Sequence, residues 1–151
     1  MSSTETFNTN LPSMGHKRRY HTAVALGREI FVAGGIGAGG VGNSTAECYN
    51  VDTKQWNEIN SMSTQRYGAA AVSLGQSIIV MGGKDVCAGT LSSAEQYDTA
   101  SGQWSAFPAM NEARRGCAAA VLNGRIIVVG GADKNYRKLS SAEEYDPTTG
   151  R

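Results

Sequence analysis

The sequence predicts an all-β fold assembled from three copies of one four-stranded unit. The 151-residue chain repeats itself with a period of 48 residues, without an insertion or a deletion. Each copy contains short apolar segments separated by glycines and polar turns, and no window shows a helical period with capping residues. Because a fixed period constrains all copies together, it determines the fold prediction more strongly than local propensities do.

The first two strands of each unit are predicted as a hairpin. In the first copy they cover about 21–26 and 30–33, and the third copy joins the same strands through Asn123 and Gly124. Asn-Gly is the strongest short hairpin signal, and Gly27 and Gly75 place glycine at the first turn position in the other copies.

A glycine pair ends the second strand, and a loop of variable sequence follows it. The third strand is predicted over about 45–50, and after a polar turn the fourth strand begins near Trp56. Glycine suits the end of a buried strand because it accepts positive φ and lets a neighbouring backbone approach. Four strands in about 50 residues is the spacing of a propeller blade.

An apolar strand that ends in a glycine pair, followed by a tyrosine and a tryptophan with six residues between them, resembles the kelch repeat. The matching residues are Gly34, Gly35, Tyr49, Trp56, Gly82, Gly83, Tyr97, Trp104, Gly130, Gly131 and Tyr145. The resemblance extends over about residues 11–150 and is closest to kelch-like substrate adaptors. It implies blades over 14–61, 62–109 and 110–151, preceded by a lead over 1–13.

Three blades predict a partial propeller, because about 4–8 blades are needed to close a ring. Residues 7–14 share the register of 55–62 and 103–110 and so resemble a degenerate fourth strand, with Asn8 in the tryptophan column. The third blade lacks its own last strand. Two alternatives stay open: a piece of a longer propeller, or a head-to-tail homodimer that forms a six-bladed ring.

An arginine and a glutamate recur together, always 29 residues apart. The pairs are Arg18 with Glu47, Arg66 with Glu95, and Arg114 with Glu143. The planar guanidinium holds a carboxylate in two hydrogen bonds, so we interpret these columns as structural ion pairs.

Variable columns are free for binding, and two groups of them are expected to meet on one face: those beside the repeated arginine and those after the glycine pair. The candidate partner-binding residues are Arg19, Tyr20, Tyr67, Lys84, Asp85, Arg115, Asp133, Asn135, Tyr136 and Arg137. The segments along this edge carry ten basic and three acidic residues, whereas the rest carries four and ten. Arginine and tyrosine are favoured interface anchors, which suits an acidic or phosphorylated peptide.

Composition argues against several other classes of function. The net charge of +1 provides no field for nucleic acid, and the apolar runs are too short to span a membrane. Gly35–Gly40 fits G-x-G-x-x-G but leads into a strand instead of a helix, so no nucleotide site is expected. The three cysteines have no metal-like spacing and suggest reduced thiols in a cytoplasmic protein.

The sequence therefore predicts a non-enzymatic protein-binding module with no cofactor and no metal. The kelch resemblance implies either a substrate-recognition part of a ubiquitin-ligase adaptor or an actin-binding protein. An enzyme that uses the central cavity is the alternative of a different class, although no set of nucleophile, base and orienting residue is evident.

Overall fold

The computed structural model describes residues 10–151, which form thirteen β-strands and no helix. The strands are β1 Thr22–Leu26, β2 Glu29–Ala33, β3 Ala46–Asn50, β4 Gln55–Ile59, β5 Ala70–Leu74, β6 Ser77–Met81, β7 Lys84–Asp85, β8 Gly89–Thr90, β9 Ala94–Asp98, β10 Gln103–Phe107, β11 Ala118–Leu122, β12 Arg125–Val129 and β13 Ala142–Tyr145.

Eleven of these strands form three antiparallel sheets in sequence order, and the predicted all-β partial propeller is confirmed. Blade 1 is β1-β2-β3-β4, blade 2 is β5-β6-β9-β10, and blade 3 is β11-β12-β13. The turn of the β11–β12 hairpin has positive φ at Asn123 (52°) and Gly124 (75°), as a type I′ turn requires.

Two segments differ from a simple strand and loop assignment. The loop after the second glycine pair contains a short hairpin, in which β7 pairs with β8. The Asp85 carboxylate accepts hydrogen bonds from the amides of Cys87 and Ala88, and these bonds close the turn. Of the degenerate fourth strand predicted over 7–14, residues 10–14 form no strand, and 7–9 lie outside the described residues.

The hydrophobic core lies between blades. One cluster joins Phe31 and Ala33 of blade 1 to Ile78 and Val80 of blade 2, and a second joins blade 2 to blade 3. A single sheet cannot bury both of its faces, so each blade depends on its neighbours for stability.

Tyrosine and tryptophan pair across the outer two strands. The rings of Tyr49 and Trp56 are 5.3 Å apart, and those of Tyr97 and Trp104 are 5.2 Å apart. The Trp104 indole N–H also donates to the Asn60 carbonyl at 2.5 Å, which ties the fourth strand to the segment that enters its blade.

Blade 3 has no fourth strand among the described residues, and a groove of about 610 Å³ opens beside Tyr145. The corresponding space between blades 1 and 2 is only about 10 Å³ and is lined by Trp104. The groove therefore lies at the position that corresponds, in blade 2, to the space filled by Trp104.

Candidate functional site: a basic, tyrosine-rich loop face

The repeated arginines contact the repeated glutamates. Arg18 lies 2.8 Å from Glu47, and both side chains are at most 1% exposed. Arg66 lies 3.2 Å from Glu95, and Arg114 lies 3.2 Å from Glu143. An ionised pair at such depth needs further hydrogen bonds to offset its desolvation.

Those hydrogen bonds recur at the same positions in each blade. The Arg66 guanidinium donates to the carbonyls of Gly82 and Ser93 at 3.0 and 2.8 Å. The Glu95 carboxylate accepts from the amides of Ser63 and Thr64 at 2.7 and 3.2 Å. Each pair thus holds the entering segment of its blade against the ends of two strands, which is a structural role.

The backbone brings the two groups of variable columns together. Tyr67 and Lys84 exchange backbone hydrogen bonds of 3.1 and 2.8 Å, and Arg115 and Ala132 exchange bonds of 3.0 and 2.9 Å. Arg19 makes the same exchange with Ile36. The residue after each repeated arginine therefore lies beside the residue after each glycine pair.

Tyr136 is held between cations from two blades. The Lys84 ammonium of blade 2 donates to the Tyr136 hydroxyl at 3.0 Å, and the Arg115 guanidinium stacks 3.9 Å from the centre of the ring. The hydrogen bond from Lys84 is the main cause of a lowered pKa at the Tyr136 phenol, and Arg115 adds to it. The bond to Tyr136, followed by one to Tyr67, raises the pKa of Lys84. Both shifts favour the charged forms at this position.

Tyr20 has a left-handed backbone conformation, and the corresponding residue in each of the other two blades is a glycine. Its φ is 55°, and the residues 48 and 96 positions later, Gly68 and Gly116, have φ of 66° and 62°. The Tyr20 carbonyl accepts from the Gly68 amide, and the Gly68 carbonyl accepts from the Gly116 amide. A bulky residue in the left-handed region is an outlier that points to function, and the Tyr20 side chain is 64% exposed.

An open cavity of about 670 Å³ lies between Tyr20 and Tyr67. It is lined by Tyr20, Tyr67, Gly68, Arg115, Gly116, Gly131, Ala132 and Lys138. Five of these were not among the predicted partner-binding residues: Gly68, Gly116, Gly131, Ala132 and Lys138. Lys138 could have been found from its variable column, whereas the three glycines and the alanine contribute only open space.

The acidic members of the predicted site shape its loops. The Asp133 carboxylate accepts from the amides of Asn135 and Arg137 at 2.8 and 2.9 Å, and Asp85 has the same kind of role in the β7–β8 turn. These carboxylates form no ion pair among the described residues. The carboxylates of Asp85 and Asp133 therefore stabilise the shape of their loops, and the backbone amide of Asn135 takes part in one of these hydrogen bonds.

The cations of the loop face also lack carboxylate partners within residues 10–151. No ion pair there includes Arg19, Lys84, Arg115 or Arg137. On the opposite turns, by contrast, Arg28 pairs with Asp52 and Arg125 with Glu144. These four cations of the loop face are consequently not neutralised by a salt bridge within the described residues.

The same part of the chain contains no cluster of three or more metal-ligating side chains. No helix there could cross a membrane.

Two four-stranded units and one three-stranded unit that pack face to face, each holding a buried arginine–glutamate pair, define a kelch-type propeller segment. The KLHDC2/KLHL20/DRC7 Kelch-repeats domain model matches residues 3–131, and the Kelch motif model matches residues 113–151. The chain belongs to the kelch-repeat family, whose propellers generally act as protein-interaction modules.

A solved structure titled "Structure of YjhT" has the same fold. It is 14% identical, with a TM-score of 0.76 over 86% of this chain. The matched region is 43% of that protein, so the chain spans less than half of its length. No curated protein matches the chain.

Proposed function

We propose that this chain is a non-enzymatic binding module whose loop face takes an acidic or phosphorylated segment of a partner protein. The observation that carries the proposal is Tyr136, which lies between Lys84 and Arg115. Neither of these cations forms a salt bridge within residues 10–151. Arginine and tyrosine supply bidentate hydrogen bonds and large rigid contact area, and both are favoured at binding hot spots.

Three features support an extended ligand over a small molecule. The cations are spread along three blades, the cavity between them is open, and Arg19, Tyr67 and Arg115 occupy the same column of successive repeats. A segment that crosses the face can contact all three blades, and unpaired positive charge accelerates its association.

The test replaces Arg19, Tyr67 and Arg115 together by alanine. Binding of fluorescent peptides is measured by anisotropy, with one peptide rich in Asp and Glu, its Asn and Gln counterpart, and a phosphoserine peptide. Wild-type protein is expected to prefer the two anionic peptides, and the triple variant to lose at least about ten-fold in affinity, or roughly 1.4 kcal/mol. Equal affinity for the neutral counterpart would contradict the proposal.

The matched control is the double variant Arg28→Ala and Lys54→Ala, which also removes two positive charges but on the opposite turns. It is expected to retain binding. Thermal unfolding of both variants checks that the fold persists. If the control loses as much affinity as the triple variant, only net charge matters and the loop face is not the site.

The kelch-like resemblance favours a cytoplasmic adaptor that presents a substrate to a ubiquitin ligase. This role is tested by identifying captured proteins from a lysate by mass spectrometry, with the triple variant as the reference, and by locating a fluorescent fusion in cells. Actin is the second candidate partner and is tested by cosedimentation with filaments. Turnover of a small molecule would overturn the non-enzymatic assignment.

A further inference from the structure

The seam between neighbouring blades is built from backbone contacts that recur every 48 residues. Between blades 1 and 2, the amide of Gly35 donates to the carbonyl of Arg66 at 2.7 Å, and the amide of Met62 donates to Ser44 at 2.9 Å. Between blades 2 and 3, Gly83 donates to Arg114 at 2.8 Å, and Met110 donates to Ser92 at 2.9 Å. Each blade therefore contributes to two seams. Its leading half contains the arginine carbonyl and the methionine amide, which contact the preceding blade. Its trailing half contains the amide of the second glycine and the serine carbonyl, which contact the following blade.

Blades 3 and 1 carry the corresponding halves of a third seam, which make no such contact among residues 10–151. By the repeat, the trailing half includes the amide of Gly131 and the carbonyl of Ser140, and the leading half includes the carbonyl of Arg18 and the amide of Met14. None of these four groups makes a backbone–backbone hydrogen bond among the described residues.

The apolar side chains of the two unused halves are exposed, unlike their counterparts. In the trailing column, Val129 is 45% exposed, whereas Ala33 and Met81 are 5% and 3% exposed. In the leading column, Ile30 is 42% exposed, whereas Ile78 is 2% exposed. Val129 and Ile30 are therefore apolar side chains that no blade covers within the described residues.

The glycine that ends the second strand shows the same asymmetry. A Cβ added at Gly34 or Gly82 would clash with the carbonyl oxygen of the next blade's arginine. A Cβ at Gly130 would meet only the Leu139 carbonyl oxygen, at an ordinary contact distance of 3.5 Å. Blade 3 thus keeps the space that an arginine carbonyl fills in the two formed seams.

We propose that a second copy of this chain occupies this surface, head to tail, with its blade 1 against blade 3 of the first. The occupant is a second copy because blade 1 of the chain carries the half-seam that matches blade 3. The residues in this half-seam belong to the same repeat columns that form the two seams within the chain. Two such seams close a ring of six blades, within the range that propellers adopt. The proposal concerns the flanks of the blades and does not depend on the function of the loop face.

The first test is the mass of the chain in solution, measured by light scattering after size exclusion. Two chains of 15.9 kDa are expected in one particle. Val129→Glu is expected to reduce the particle to one folded chain. Val121→Glu is the control, since Val121 is also exposed but lies on the other side of the same strand pair. A folded wild-type monomer, or a mass that grows beyond two chains, overturns the proposal.

The second test separates a head-to-tail seam from a symmetric contact. Val129→Glu spoils the trailing half and Ile30→Glu spoils the leading half, so each variant alone is expected to be monomeric. Mixed together, they retain one intact seam and are expected to form a heterodimer. A symmetric blade 3 contact predicts no recovery on mixing, and this result would overturn the proposal.

A third pair of variants isolates the glycine contact. Gly130→Ala and Gly124→Ala both place alanine at positive φ in blade 3, but a Cβ at Gly124 has no neighbour within 4 Å. Both variants are expected to fold, and only Gly130→Ala to lose at least about ten-fold in dimer affinity. Equal affinities for the two variants would contradict the seam.

Discussion

Gly82 and Arg114 touch across the seam between blades 2 and 3. The amide of Gly83 donates to the Arg114 carbonyl at 2.8 Å, and a Cβ added at Gly82 would collide with that carbonyl oxygen. The first glycine of the pair is therefore required by the neighbouring blade as well as by its own φ of 65°.

Gly82→Ala is expected to destabilise the protein more than Gly75→Ala. Both positions have positive φ, which costs alanine about 1–2 kcal/mol, but Gly75 has open space around it. Moving the seam apart to admit the Cβ adds roughly 1–3 kcal/mol. Urea unfolding measures both variants, and equal losses would show that only backbone conformation matters at Gly82.

Arg66→Met is expected to lower the free energy of unfolding by about 3–5 kcal/mol, because it leaves the buried Glu95 carboxylate without its cation. For a chain of this size the melting temperature should fall by at least about 6 °C. The control is Arg28→Met, which removes a salt bridge whose side chains are 68% and 57% exposed. Such exposed pairs contribute little to stability, because water screens the attraction. An unchanged melting temperature for Arg66→Met would refute a structural role for the pair.

The ion pairs also predict how stability depends on pH. Burial alone would raise the pKa of Glu95, but hydrogen bonds from Ser63 and the charge of Arg66 outweigh it and leave the pKa below its ordinary value of 4.5. A carboxyl group whose folded pKa is depressed stabilises the fold above its unfolded pKa, and this contribution is lost as the pH falls through the folded pKa. The free energy of unfolding should therefore decrease on acidification below about pH 4.5.

Glu95→Gln tests the source of this decrease. The variant is expected to be less stable than the wild type at pH 7, and the difference should narrow as the pH falls, because the wild-type carboxyl group is then also neutral. Urea unfolding between pH 3 and pH 7 provides the comparison. A difference that stays constant over this range would assign the acid sensitivity to other groups, of which Glu143, with its similarly lowered pKa, is the first candidate.

The sequence was informative wherever a residue recurs in every blade. Strand positions follow from the 48-residue period, and the Arg66–Glu95 spacing could be interpreted as a pairing because three copies repeat it. The backbone partners of the pair, such as the amides of Ser63 and Thr64, could not be predicted, since any residue supplies an amide.

The loop face was predicted less completely because its loops occur once each. The contact between Lys84 and Tyr136 joins residues 52 apart in two blades of different loop sequence, and no column of the repeat encodes it. For Asp133, which the sequence predicts as part of the site, the structure adds that its carboxylate accepts hydrogen bonds from loop amides. Charge alone does not predict such loop hydrogen bonds, because they depend on the backbone conformation of the loop.

Tyr20→Gly is expected to separate binding from stability. Glycine stands in this column in blades 2 and 3, so the substitution relieves the left-handed conformation of Tyr20, and the greater freedom of the unfolded chain offsets the gain. The free energy of unfolding should change by no more than about 1 kcal/mol.

The exposed ring, which lines the cavity of the loop face, would be lost. Affinity for an anionic peptide that the wild type binds should fall by roughly ten-fold, as expected for removal of an aromatic anchor. Peptide anisotropy and thermal unfolding measure the two effects, and unchanged affinity would remove Tyr20 from the binding surface.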